Sequence, residues 1–172
     1  MTIKGRKHGN GDAPELAQTL RNLGSRISNI IGNAGECTPG IPGLTLYRNT
    51  DATAPNSCSY EPSLLVIPQG RKRVEVGKTK YVFGHSRFLL TSVELPVVSR
   101  VIEASEETPY LALFLKLEIA TVRDILNTEE IRVPEASGGI GGMGLGEASV
   151  ELIRACCRML DVLGAVRTSV TL

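Results

Sequence analysis

The sequence predicts a mainly β domain, an antiparallel barrel with a helix at each end, and three observations carry that prediction. Residues 60–83, YEPSLLVIPQGRKRVEVGKTKYVF, open on a continuous apolar run, Leu64-Leu65-Val66-Ile67, held between prolines. A branched run of that length suits a strand buried on both faces. After Pro68-Gln69-Gly70 the pattern becomes strict alternation, with Arg71, Arg73 and Glu75 charged at every second position and Val74 and Val76 between them. That is a half-buried strand with one wet face, and Gly77-Lys78 is a two-residue turn that closes it into a hairpin. The third observation is helical periodicity near both termini.

In chain order, residues 1–11 are polar and read as a frayed tail. A helix follows from Asp12, which caps it with Glu15 three positions on. Leu16, Leu20, Leu23, Ile27, Ile30 and Ile31 recur at helical spacing until Gly32 and Gly35 stop it. Two prolines and three glycines make residues 35–43 a loop; residues 44–47 alternate as a first strand, and residues 49–57 have loop composition. The hairpin comes next, then strands at 87–93, 97–103 and 110–117, the last with Leu111, Leu113, Leu115 and Leu117 on one face. Short strands with short polar turns fit a barrel or sandwich. Residues 120–126 are helical, 128–146 form a Gly-rich loop, and a second long helix starts near Glu147 within a final unit over 147–172. The organisation is thus a tail (1–11), a helix plus barrel (12–127), the Gly-rich loop and a C-terminal helix.

The composition narrows the function. Hydrophobic residues make up 42% and charged residues 22% of 172, ordinary for a globular domain. A net charge of +1 supplies no basic field for non-specific nucleic-acid binding. No 18-residue apolar run reads as a membrane span, and the basic N-terminus has no apolar segment behind it, so it does not read as a secretory signal. The four cysteines are accordingly expected as reduced thiols in the cytoplasm.

Gly139-Ile140-Gly141-Gly142-Met143-Gly144 matches G-x-G-x-x-G, but no strand precedes it and no βαβ pattern surrounds it, so a loop is the better reading. With only His8 and His85, a His-rich metal cluster fails on count; no metal, cofactor or catalytic residue is expected, and His85 reads as a turn residue with a secondary part in ligand binding. Cys156 and Cys157 are adjacent on a helix and so point about 100° apart, which makes packing their default. Cys37 and Cys58 lie near one rim, not in C-x-x-C spacing; either is a candidate sensing thiol, and Cys58 is also an effector-binding candidate. Arg71, Lys72, Arg73, Lys78 and Lys80 share one hairpin and read as a solvated face, with phosphate contact as the alternative. Polar residues placed to face the barrel interior are Tyr47, Arg48, Tyr60, Gln69 and Tyr81. A barrel mouth with a few oriented polar groups suits a small-molecule pocket.

The runs PGLTLYR at 42–48, YEPSLLVIPQGRKRVEVG at 60–77 and LPVVSRVIEASEETPYLAL at 95–113 together resemble the N-terminal sensor domain of AraC-type bacterial transcriptional regulators, over roughly residues 40 to 127. The resemblance implies a cupin-like barrel holding a small effector, and a C-terminal helix that pairs two subunits, here through Ile153, Cys156, Met159, Leu160 and Leu163. A helix folded back on its own domain is the competing expectation. It implies no enzyme, and DNA contact only through a helix-turn-helix domain, a pattern that the last residues, RTSVTL, do not resemble. A stand-alone cupin-like binding protein and a cupin enzyme are the alternatives.

Overall fold

The computed structural model describes residues 12–128 and 141–168, with side chains through Leu163. The tail over 1–11 and residues 129–140 of the Gly-rich segment lie outside them. Helix α1 (Asp12–Ile31) carries Asp12 and Glu15 in its first turn, where carboxylates complement the helix dipole. Gly32 ends it, its amide donating to Ser28 O at 2.9 Å. The strands are β1 (Glu36–Cys37), β2 (Leu44–Asn49), β3 (Asn56–Tyr60), β4 (Ser63–Gln69), β5 (Arg71–Val76), β6 (Thr79–Gly84), β7 (Arg87–Thr91), β8 (Leu95–Glu103), β9 (Tyr110–Lys116) and β10 (Met143–Glu147); α2 (Ile119–Thr128) precedes β10 and α3 (Val150–Thr168) follows it.

The strands form two antiparallel sheets, one of six in the order β1-β2-β9-β4-β7-β10 and one of four in the order β3-β8-β5-β6. The fold is therefore mainly β with flanking helices, as the alternating strands predict. The barrel or sandwich expected from the short strands takes the form of two sheets packed face to face, and among the described residues no ladder joins them. Three layers result. One core, with Leu23, Ile27, Leu44, Leu46, Leu113 and Ile153, lies between the six-stranded sheet and helices α1 and α3. The other, with Leu65, Ile67, Val74, Phe83, Leu89 and Val101, lies between the two sheets.

Strand β4 shows why its apolar run is unbroken. Val66 enters the helix-side core while Leu65 and Ile67 enter the inter-sheet core, so both faces are dry. Strand β9 divides in the same way: Leu111 and Leu113 meet the helices, Tyr110 and Ala112 face the other sheet. Each such large aliphatic side chain contributes about 1.5–3 kcal/mol by leaving water. The β5–β6 hairpin pairs Val76 with Thr79, which leaves Gly77-Lys78 as its two-residue loop.

Four segments depart from the sequence expectation. Residues 36–37, read as loop, form β1, which pairs with β2 from Glu36↔Tyr47 to Cys37↔Leu46. Residues 56–57, read as loop, belong to β3, an edge strand that pairs with β8 from Asn56↔Ser99 to Tyr60↔Leu95. Residues 143–146, read as the end of a Gly-rich loop, form β10, which pairs with β7 from Met143↔Thr91 to Glu147↔Arg87. Here Gly146 lies opposite Phe88, and a Cβ on it would come within 2.2 Å of that ring. The aromatic ring thus covers the bare backbone of an edge glycine, a known device for holding such strands. The helix expected from Glu147 accordingly starts at Val150. Helix α2 buries none of its residues, and Ile125 is 51% exposed.

Candidate functional site

The edges of the two sheets meet differently on the two sides of the sandwich. On one side the Tyr81 hydroxyl of β6 donates to Met143 O of β10 at 3.3 Å, stitching the sheets together. On the other, the edge strands β1 and β3 are joined by no ladder among the described residues. The β2–β3 connection crosses this open seam and is tied down at Thr53. Its amide donates to Val101 O at 3.0 Å, and its Oγ1 accepts from Val101 N at 2.9 Å.

The residues around this seam are aromatic and polar. Tyr47, Tyr110 and Phe114 stand on the inner face of the six-stranded sheet, where β2 pairs Thr45 with Phe114 and Asn49 with Tyr110. Cys58, Tyr60 and Ser99 stand on the inner face of the four-stranded sheet. Tyr60 meets Phe114 edge to face across the gap, ring centroids 6.1 Å apart at 69°, a favoured aromatic geometry. Cys58 Sγ lies 4.0 Å from Ser99 Oγ. Tyr110 is 2% exposed, yet its hydroxyl has no hydrogen-bond partner among the described residues. Burial drives the Tyr110 phenol well above its ordinary range, and the neighbouring Tyr60 and Tyr47 push the same way. Burial also raises Tyr47, with smaller contributions from Glu36, Tyr60 and Cys58. An unpartnered buried hydroxyl is expensive.

Gly70 fixes where Tyr110 sits. It links β4 to β5 at φ 83°, and a Cβ there would come within 2.7 Å of Glu103 O and 2.9 Å of Tyr110 Cα. Only glycine allows both that conformation and that approach.

The sequence-predicted residues divide into groups. Tyr47, Cys58 and Tyr60 come together at the open seam. Gln69 instead spends its amide on Pro109 O, Nε2 to O 2.7 Å, and Tyr81 belongs to the stitched side. Arg48 is corrected: it shares the parity of Leu44 and Leu46, so it stands on the helix side of its sheet, not in the interior. His85 lies exposed in the β6–β7 turn, in keeping with its reading as a turn residue. Cys37 packs with the helix-side core and Cys58 with the inter-sheet core, so they do not share a rim. Sequence reasoning missed Tyr110, Phe114 and Lys72. Lys72, assigned to an outward basic face, has the parity of Val74 and Val76, and its Nζ lies 5.5 Å from the Tyr60 ring centroid. Among the described residues no group of three His, Cys, Asp or Glu side chains is placed to hold a metal ion.

Helix α3 packs on α1. Ile153, Cys156 and Leu160 are buried between the helices and the sheet, and Met159 and Leu163 are half-buried against the same cluster. Two ion pairs link the helices: Arg26–Asp161 at 2.7 Å, and Arg154–Glu15. The Arg26 guanidinium lowers the Asp161 carboxyl and is itself raised by that hydrogen bond. Burial pushes Cys156 up to about 11, and raises Cys157 despite the opposing effect of Arg26. An open polar groove between the helices, lined by Glu15, Arg26, Arg154, Cys157 and Asp161 among others, lies outside the sandwich. On the face away from α1, Ala155 and Val162 are exposed, Val162 at 59%.

Comparison with known proteins places this architecture. The family described as the AraC-type transcriptional regulator N-terminus matches residues 40–172. No curated protein sequence matches. Among solved structures, unsaturated-fatty-acid-bound wild-type ToxT from Vibrio cholerae strain SCE256 is 11% identical with a TM-score of 0.46, covering 69% of this chain and 45% of that one. A second ToxT structure from Vibrio cholerae is 10% identical with a TM-score of 0.45, covering 68% and 46%. Vicilin from hazelnut, Corylus avellana, is 14% identical with a TM-score of 0.31, covering 69% and 42%. The chain spans under half the length of these solved proteins.

Proposed function

Since the chain belongs to the AraC-type transcriptional regulators, whose N-terminal domain it carries, we propose that it senses a small effector at the open seam of its sandwich. The observation that carries this is the Tyr110 hydroxyl, buried near Tyr47 and Tyr60 without a partner among the described residues. A small molecule bearing an acceptor would satisfy it and recover the desolvation cost. Occupancy would then favour one arrangement of sheets and helices over another, a population shift relayed to a helix-turn-helix domain outside these 172 residues.

The relay in this reading runs through a homodimer formed by α3, in the cytoplasm. Its candidate interface keeps Met159 and Leu163 and adds exposed Ala155 and Val162. Ile153, Cys156 and Leu160 support the helix from beneath, because their side chains are already buried within one chain.

The test is a small-molecule panel read by tyrosine emission. The chain has no Trp and four Tyr, and Tyr47, Tyr60 and Tyr110 are three of those four. A ligand in the seam changes that emission and raises the melting temperature by mass action. If every compound that raises the melting temperature leaves the emission unchanged in wild type, the seam is not the sensor.

A further inference from the structure

The seam also carries a cation. Lys72 is half-buried on the inner face of β5, opposite Phe83 of β6 and Val101 of β8. Among the described residues its ammonium makes no ion pair and no hydrogen bond, and it stands over the ring of Tyr60. Most other cations of the hairpin region face solvent or a carboxylate: Arg71 lies 4.0 Å from Glu103, and Arg73 lies 2.7 Å from Glu75. A charge drawn into a partly apolar site is costly unless an opposite charge meets it. Two unmet demands therefore bear on Tyr60: a cation over its ring, and the buried Tyr110 phenol, close enough to feel its charge.

Resting on the effector reading above, we infer that the ligand is a small organic acid whose carboxylate is bound by Lys72 and by the Tyr60 and Tyr110 hydroxyls, with its apolar body against Phe114. A carboxylate accepts several hydrogen bonds at once, and those from a cation are the stronger ones. A neutral sugar or an amine would leave Lys72 unmatched. Phe114 and Tyr60, already edge to face, offer the flat apolar wall that positions the body of such a ligand. Glu36, on the edge strand β1, bears on Tyr47 and disfavours a second negative charge at that end of the seam.

The experiment uses the 172-residue chain and matched probes: benzoate, 4-hydroxybenzoate and hexanoate, each beside its carboxamide. Tyrosine emission and melting temperature are followed for wild type, Lys72→Met, Lys72→Arg and Tyr110→Phe. The expected result is that at least one acid binds roughly 10-fold or more tighter than its amide, as a charge-assisted contact requires. Lys72→Met, whose fold is checked by circular dichroism, removes that preference, Lys72→Arg keeps it, and Tyr110→Phe weakens the acid. Amides that perturb the tyrosines as well as the acids do, with no change in Lys72→Met, overturn the acid assignment and leave the effector reading standing. Silence of the tyrosines toward both acids and amides overturns the acid assignment, and silence toward neutral compounds as well brings down the reading beneath it.

Discussion

Tyr110→Phe should stabilise the effector-free domain. The tyrosine ring is 2% exposed and packs in the inter-sheet core, so phenylalanine keeps the ring contacts and removes only the hydroxyl. That hydroxyl has no partner among the described residues, and a buried unpartnered polar group costs about 1–3 kcal/mol. In a domain of this size 1 kcal/mol moves the melting temperature by about 2–4 °C. A rise of at least about 2 °C is expected, with a higher urea midpoint at unchanged m-value. Tyr81→Phe is the internal contrast. Its hydroxyl donates to Met143 O at 3.3 Å, so the same chemical change there should cost about 0.5–1.5 kcal/mol. If Tyr110→Phe loses stability as Tyr81→Phe does, the hydroxyl is already satisfied, most simply by an internal water, and the argument from its vacancy fails.

Ile153→Ala, at a fully buried position of α3, should cost about 2–5 kcal/mol in chemical denaturation. Val162→Glu, at an exposed position on the same helix, should change stability by under about 0.5 kcal/mol. Yet it should convert dimer to monomer in sedimentation equilibrium; a dimer that survives it places the interface elsewhere. Gly146→Val should lower the melting temperature, because its first side-chain atom would press into the Phe88 ring and overpacking typically costs about 1–3 kcal/mol. With Cys156 raised from 9.0 to about 11, the unfolded chain releases its proton first as pH rises. Stability attributable to this thiol is thus full below pH 9 and falls between about pH 9 and 11 by roughly 2–3 kcal/mol. Cys156→Ala should flatten that part of the urea-midpoint profile.

Much of this was legible in the chain. The unbroken run of β4 signalled two dry faces, and the alternation of β5 signalled one. Residues 143–146 were not legible, because β10 contains two glycines and borrows its apolar cover from Phe88 on the neighbouring strand. β3 was obscured by Asn56 and Ser57, polar residues tolerated at a sheet edge. The site was half visible. Parity already put Lys72 with Val74 and Val76, and Arg48 with Leu44 and Leu46, but their charge pointed the reading the opposite way. Tyr110 had the parity opposite Leu111's row, which marked it as inward-facing. No local signal told that its hydroxyl would go unpartnered, since that depends on the packing of a second sheet.

The stitched edge of the sandwich also sets a fulcrum. Met143, which accepts the Tyr81 hydroxyl, begins the strand that leads, after only Ala148 and Ser149, into α3. In the proposed sensing, a guest that pries the opposite edge apart would turn the sheets about the line from which this helix springs. Nineteen residues of helix make a lever about 28 Å long. A tilt of about 5° at its root would sweep its far end by about 2.5 Å, comparable to the helix shifts that switch subunit interfaces. On that proposal, a small spreading at one edge of the domain would become a larger displacement at the far end of α3.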